Sequence, residues 1–287
     1  MNEYYEQTVQ DFTNYLTRLN YAQGSIKSRT RQLYRFLQYM DKHYIYRLTD
    51  ITTDYLNDYN NQLHQKTIKT KTIQAYISVL KLFNEYLERY GEAPIITTRL
   101  DITKEISTPR NILTKEQINV LYESSDKSLW GHRDRIILAL YYGCGLRCAE
   151  GIALDTTDID FTRGLIHIRK GKNYRERYVP MSRGVKQELT AWLQTTHRYF
   201  CGKQTDILLP NSKGKRSENK LLNIRLKRLC QNANINQQIT LHGLRHSIAT
   251  HLLQEGMSIE LIGQFLGHQS LEATQLYTRI INKDGNI

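Results

Sequence analysis

Proline and cysteine are scarce in this chain of 287 residues, with four of each. Four prolines and 16 glycines argue against a collagen-like, linker-dominated or loop-rich all-β chain. The cysteines, Cys144, Cys148, Cys201 and Cys230, include no CxxC pair and are too few for a disulfide framework. Cys144 and Cys148 can be helical neighbours, but two thiols without nearby histidines make a poor zinc site. Reduced cysteines in a cytosolic protein are expected. No stretch approaches the ~18 consecutive apolar residues of a membrane span. The opening Met1-Asn2-Glu3-Tyr4-Tyr5-Glu6 lacks the basic and then apolar pattern of a secretion signal. Acidic residues are also short, 28 against 40 Lys and Arg, a net charge of +12. That excess predicts an anionic partner, nucleic acid ahead of an anionic membrane surface. An apolar fraction of 40% excludes wholesale disorder, and the length suggests two domains.

Residues 1–97 read as an N-terminal helical bundle. Val9, Phe12, Leu16 and Leu19 follow the spacing of one helical face. Ser25 is a candidate cap for a second helix with Ile26, Leu33, Leu37 and Met40 inward, while Lys27, Arg31 and Arg35 line one flank every four residues. A third helix is expected from Thr52 or Thr53, with Tyr55, Leu56, Tyr59 and Leu63 inward. A fourth spans Thr70 to Tyr90, with Ile73, Ile77, Leu80 and Leu87 inward, and stops at Gly91. The basic flank reads equally well as a solvated face or, with its tyrosines and threonines, as a phosphate-binding stripe.

Residues 98–110, with Pro109, look like an extended linker. A second domain, 111–287, begins where Thr114 and Gln117 have capping-box spacing. Its pattern is mixed. An apolar helix covers Arg135 to Tyr142 and stops at Gly143-Cys144-Gly145. Gly164 to Arg169 alternates as a strand, Tyr178-Val179-Pro180 ends its partner, and a basic turn joins them. Helices are predicted at Ser182–His197, Ser217–Asn232, Gly243–Gln254 and Ser258–Leu266, with a last short one around Tyr277. The fold class is therefore mainly α with a small β-sheet, α+β, carrying a basic β-hairpin. Up to residue 110 there are 15 basic and 12 acidic residues, +3; from 111 onward there are 25 and 16, +9. The second domain should grip an anion harder. Its cations cluster as Arg169, Lys170, Lys172, Arg175 and Arg177 in the hairpin, and from Lys213 to Arg228.

Four local patterns carry possible chemistry. His242 and Arg245 are three apart at a helix start, where backbone N–H groups also favour an anion; by itself H-x-x-R is most often an ordinary first turn. Gly143-Cys144-Gly145-Leu146-Arg147 allows a left-handed turn or close backbone approach before one Arg, and Glu150 can simply pair with that Arg. Lys170-Gly171-Lys172 can deliver an ammonium into a groove or merely bind backbone. Leu266-Gly267-His268 precedes Tyr277 by nine residues, counted from His268, and a free phenol, with pKa near ~10, needs cations or a base to attack.

Taken in order, Arg147, Lys172, His242, Arg245, His268 and Tyr277 resemble the Arg, Lys, His-x-x-Arg, His, Tyr series of the tyrosine recombinases: phage integrases, Xer-type resolvases and transposon integrases. The flanks match as well: Gly-Leu-Arg at 145–147, Gly-Lys-x-x-x-Glu-Arg-x-Val-Pro from Gly171 to Pro180, Leu-His-Gly-Leu-Arg-His-Ser-Ile-Ala-Thr-His-Leu-Leu at 241–253 and Leu-Gly-His at 266–268. Asn173 departs from the second glycine of a G-K-G turn. Gly151 stands where an apolar residue such as leucine is usual, which predicts looser packing after Arg147.

The resemblance implies a helical DNA-clamping domain ahead of a catalytic one, and a site-specific recombinase. Tyr277 attacks a phosphodiester of double-stranded DNA to give a 3′-phosphotyrosyl bond and a free 5′-hydroxyl. A second 5′-hydroxyl then reverses the step, with no cofactor, metal or ATP. Arg147 and Arg245 are fixed cations suited to a transition state that spreads negative charge over non-bridging oxygens. Lys172 serves as general acid; His242 is base or hydrogen-bond partner near the phenol; His268 bonds a non-bridging oxygen or orients Tyr277. Lys27, Arg31, Arg35, Lys170, Arg175 and Arg177 are the candidate DNA contacts. The expected partners are recombination sites, further copies in a tetramer on DNA and an accessory directionality factor, in the cytoplasm at the nucleoid. The segment after Tyr277, with Ile280 and Ile281, either completes its own core or docks on a neighbouring protomer. A bundle starting near residue 1 favours an Xer-like or transposon-type enzyme over the larger lambda-like integrases. The rival readings are DNA inversion by the same chemistry, a type IB topoisomerase, which only religates, and a DNA-binding protein without catalysis.

Overall fold

A computed structural model describes residues 1–65, 68, 70–90, 94–95, 111–169, 176–201 and 206–267. The chain divides into two compact units, 1–107 and 108–287. Within the described residues they contain eleven α-helices and one small sheet. Among those residues no helix is long and apolar enough to cross a membrane. The linker, Gly91, the tip of the basic hairpin (Lys170, Lys172, Asn173 and Arg175) and everything from His268 on, Tyr277 included, lie outside the described residues.

The first unit is four helices, α1 (Glu3–Arg18), α2 (Gln23–Lys42), α3 (Thr53–Gln65) and α4 (Thr70–Arg89). The expected inward residues of α2 and α4 are all buried, as are Leu56, Tyr59 and Leu63 of α3. Two expectations fail at helix ends. Leu19 lies past the end of α1 and is 41% exposed. Ser25 sits inside α2, which starts at Gln23 after Ala22 with no side-chain cap. The core is aromatic: Phe12 meets Phe83 edge-on at 5.3 Å and Tyr86 at 5.7 Å, a geometry that suits the ring quadrupoles.

The second unit opens with the expected capping box, in which Thr114 Oγ1 accepts from the Gln117 N–H and Gln117 returns the bond, starting α5 (Lys115–Glu123). Helix α6 (Leu129–Leu138) begins earlier than its apolar run, because Ser128 caps it. Its end widens into a π-turn, Ala139–Gly143, a local unwinding often found at functional sites. Residues 136 to 141 are all sealed from solvent and form the centre of the core. Next come α7 (Cys148–Ala153) and an antiparallel three-stranded sheet of β1 (Ile159–Asp160), β2 (Leu165–Ile168) and β3 (Arg177–Pro180), in the order β1-β2-β3. The short β1 has no periodic signal to announce it. Ile166 pairs with Val179 and Ile168 with Arg177 on the inner face, and His167 stacks on Tyr178 at 4.8 Å on the other. Helices α8 (Arg183–Ala191), α9 (Asn219–Asn232), α10 (Leu241–Gln254) and α11 (Ile259–Leu266) complete the unit. Ser182, Thr240 and Ser258 cap α8, α10 and α11.

Gly151 does not leave the loose packing its small size predicts. A Cβ there would lie 2.6 Å from the Tyr141 hydroxyl. The buried phenol fills that space and donates to the Cys148 carbonyl at 3.2 Å. Gly151→Leu would overfill the site, so a loss of about 1–3 kcal/mol is expected. The melting temperature followed by circular dichroism should fall by several degrees, and combining the change with Tyr141→Ala should cost less than the two single losses added together. An unchanged melting temperature would show that the phenol does not hold that place.

Candidate active site

The π-turn delivers the chain into a tight corner. Gly143 faces Val185, whose Cγ2 would lie 2.5 Å from an added Cβ. Gly145 has φ +57°, and a Cβ there would meet Leu266 Cδ2 at 2.8 Å. Both glycines are thus needed, one for approach and one for its left-handed conformation. The corner leaves Arg147 as the N-cap of α7. Its N–H donates to Glu150 Oε2 at 2.8 Å and its guanidinium to Glu150 Oε1 at 2.7 Å. The pairing allowed for Glu150 is therefore real.

Arg245 reaches the same corner from α10. Thr240 and Gly243, the latter pressed against Ile239, set that helix start. The Arg245 guanidinium, 1% exposed, donates to the Gly145 carbonyl at 2.6 Å and the Leu266 carbonyl at 2.7 Å. The next carbonyl, Gly267 O, accepts from Arg147 at 2.6 Å. Arg147 and Arg245 therefore meet on consecutive carbonyls at the end of α11, where Gly267, at φ +65°, forms a left-handed cap. His242 is exposed on the first turn of α10, edge-on to His246 at 4.3 Å.

Arg177 adds a third guanidinium, donating to both oxygens of Glu150 at 2.8 and 2.9 Å. Both ends of its fork are engaged on that carboxylate. The signal was available in the sequence: Val179 faces the core, and the two-residue alternation of a strand puts Arg177 on the same face. Cations of the two clustered runs are also paired within the unit. Arg169 bonds Asp155 and Asp158 at 2.6 and 2.8 Å, Arg216 bonds Asp155 at 2.5 Å, and Arg225 grips Asp134. In the first unit Lys27, Arg31 and Arg35 are exposed along α2, with Arg35 donating to the Tyr76 hydroxyl at 2.6 Å.

Arg245 lies 4.0 Å from Glu150 Oε2, so three guanidiniums surround one carboxylate and, among the described residues, this largely buried corner holds a local excess of two positive charges. Such an excess is stabilised by an anion. Burial pushes the Glu150 carboxyl upward, but the bonds and charge of Arg177, with the N–H and side chain of Arg147, outweigh it and hold it at about 2. The unfolded carboxyl titrates near 4.5, so this cluster stabilises the fold fully above that value and loses its contribution as pH falls toward the lower one. A difference of this size is worth roughly 3 kcal/mol. Glu150→Gln should lower stability at neutral pH and flatten the acid-induced loss between about pH 5 and 2.5. Acid denaturation curves that run parallel for both proteins would contradict this.

Residues 111–283 match the description "Phage integrase family", and residues 9–91 match "Phage integrase, N-terminal SAM-like domain". The chain belongs to the phage integrase family of tyrosine recombinases. Tyrosine recombinase XerC of Chlamydia caviae is 34% identical over 81% of this chain and 75% of its own length. Tyrosine recombinase XerD of Staphylococcus aureus is 30% identical over 90% of this chain and 88% of its own. Among solved structures, XerH recombinase in a post-cleavage complex with its palindromic difH substrate has a TM-score of 0.75 at 22% identity, covering 91% of this chain and 79% of that one. The Tn1549 transposon integrase with circular intermediate DNA has a TM-score of 0.76 at 17% identity, covering 98% and 99%. Those two likenesses concern the fold. The chain is thus a site-specific tyrosine recombinase of mainly helical fold with a small sheet.

Proposed function

We propose that this recombinase cuts double-stranded DNA at specific sites with Tyr277 as nucleophile, and rejoins it after strand exchange. The phenol oxygen attacks phosphorus and the 5′-oxygen leaves, protonated by Lys172. The 3′-phosphotyrosyl bond conserves the bond energy until another 5′-hydroxyl attacks. Arg147 and Arg245 neutralise the non-bridging oxygens, the role that metal ions fill in many phosphoryl-transfer enzymes. His242 acts as base or hydrogen-bond partner near the phenol, and His268 bonds a non-bridging oxygen or orients the phenol. The unit formed by residues 1–97 clamps the DNA through Lys27, Arg31 and Arg35, joined through linker 98–110 to the catalytic unit 111–287, whose hairpin adds Lys170 and Arg175. Four copies assemble on DNA, an accessory factor sets direction, and the enzyme works in the cytoplasm at the nucleoid. Integration and excision of a mobile element, or Xer-like resolution, is the biological role.

One observation carries this reading: Arg147 and Arg245 converge on the Leu266 and Gly267 carbonyls, immediately before His268. Covalent capture tests it. The wild-type enzyme is incubated with fragmented DNA containing nicks, denatured, and the DNA still attached to protein is sequenced. Recovered fragments should share one site and end in a 3′-phosphotyrosyl link. Attachment through a 5′-phosphate, or none at all, would reject the chemistry. A two-site assay on the recovered sequence should yield exchanged products; relaxation without exchange would indicate a topoisomerase.

A further inference from the structure

We propose that Arg177 is a positioning residue for DNA cleavage, acting through Glu150 and Gly267 to aim Arg147, and that it does not itself contact DNA. The inference rests on the role given above to Arg147. β3 carries Arg177 on the inner face of the sheet, opposite Ile168. Its fork fits the Glu150 carboxylate with two parallel bonds, 2.8 Å to Oε1 and 2.9 Å to Oε2, which fixes the plane of that group. The same two oxygens receive Arg147, Oε1 from its guanidinium and Oε2 from its backbone N–H. Turning the carboxylate would therefore turn Arg147.

The other side of Arg177 acts on Gly267. A Cβ on Gly267 would meet Cδ, Nε and Cζ of Arg177 at 2.8 to 2.9 Å, so the flat guanidinium lies directly against the backbone of the turn. That turn presents the carbonyl to which Arg147 donates at 2.6 Å. One side chain thus sets both acceptors that hold Arg147 among the described residues. The Arg177 Nε is buried and finds no acceptor among them, a cost accepted for this close stacking. Both ends of its fork are engaged on Glu150. Moving it to a DNA phosphate would take both of its bonds from a buried carboxylate beside an incoming anion, which like-charge repulsion opposes.

The test uses the full-length enzyme and the nicked duplex recovered by covalent capture, in single-turnover cleavage at saturating DNA. Arg177→Ala should slow cleavage about 100-fold, the scale expected when a reacting group is misplaced by about an ångström. DNA affinity should stay within about twofold and its salt dependence should keep its slope, whereas a lost phosphate contact would lower that slope by about 1. Arg177→Lys keeps the charge and not the fork, and should recover no more than about a tenth of the lost rate. In an Arg147→Lys background, Arg177→Ala should cost less than about threefold, because the two act through one element. Hydrogen exchange needs no DNA: in both Arg177 variants the amides of Arg147 and Gly267 should exchange at least about tenfold faster, with β2 unchanged. Unchanged exchange, a lowered salt slope with a normal rate, or a full 100-fold loss in the Arg147→Lys background would each overturn the proposal. Failure of the wild-type enzyme to capture any DNA would instead count against the reading of Arg147, leaving hydrogen exchange to decide the clamp.

Discussion

Tyr277→Phe is expected to bind its recombination site with wild-type affinity and to form no covalent adduct, a fall of at least about 10⁴-fold in cleavage rate. The substitution removes one oxygen, so the surface that meets DNA is almost unaltered, while the atom that must attack phosphorus is gone. The chain has 20 tyrosines, and Tyr141 and Tyr142, which precede Arg147 by six and five positions, are ill-suited to replace it. Tyr141 is sealed in the core, its hydroxyl is bonded to the Cys148 carbonyl, and burial drives its phenol far above the ordinary range. Tyr142 is half-buried with its hydroxyl on His251 at 2.9 Å, and burial raises its phenol too. Burial thus works against the phenolate at both positions, which makes them poor nucleophiles. The measurement is a denaturing gel of enzyme with labelled nicked duplex, beside a binding isotherm at fixed salt. A variant that still yields a denaturation-resistant complex would move the nucleophile elsewhere in the chain.

Arg245→Lys should produce the second large effect, and a mixed one. Among the described residues the guanidinium donates to Gly145 O and Leu266 O, from a position that is 1% exposed. An ammonium is a point donor and cannot span both carbonyls in that fixed geometry. One buried acceptor would be left unpaired, costing about 1–3 kcal/mol of stability. Catalysis should suffer more: losing one aimed donor at a developing charge typically costs 10²–10³ in rate, and the corner that places Arg147 is loosened as well. A drop of about 10³-fold in single-turnover cleavage is expected, measured well below the variant's melting temperature so that unfolding does not contribute. A wild-type rate in a folded Arg245→Lys protein would remove Arg245 from the transition state.

The two arginines also show how motif and packing divide the explanation. Gly145-Leu146-Arg147 and His242-x-x-Arg245 are each ordinary in isolation, a glycine turn and a helix start. Their meaning comes from contact: Gly145 O and Arg245 are 100 positions apart and 2.6 Å from each other. Arg177 is the converse case. Its position in a run of cations suggested DNA, while the alternation with Val179 already put it on the inner face. Strand alternation is what placed it beside Glu150, because residues two apart on a regular strand share a face.

Local rules sufficed wherever a feature depends on neighbours three or four positions away. Helix faces in α2, α3 and α4 and the Thr114–Gln117 box are such features. The family was equally open to reading from the ordered set of motif residues, since a motif is a linear object. Where the outcome depends on which surfaces meet, the sequence was silent. The π-turn that swings Arg147 into place, the Tyr141 phenol filling the space at Gly151, and the ion pairs that neutralise Arg169, Arg216 and Arg225 all require partners brought up by packing. Periodicity reports which side of an element avoids water; it holds no record of what that side is pressed against, and the cluster around Glu150 exists only because α7, β3, α10 and the end of α11 are packed together.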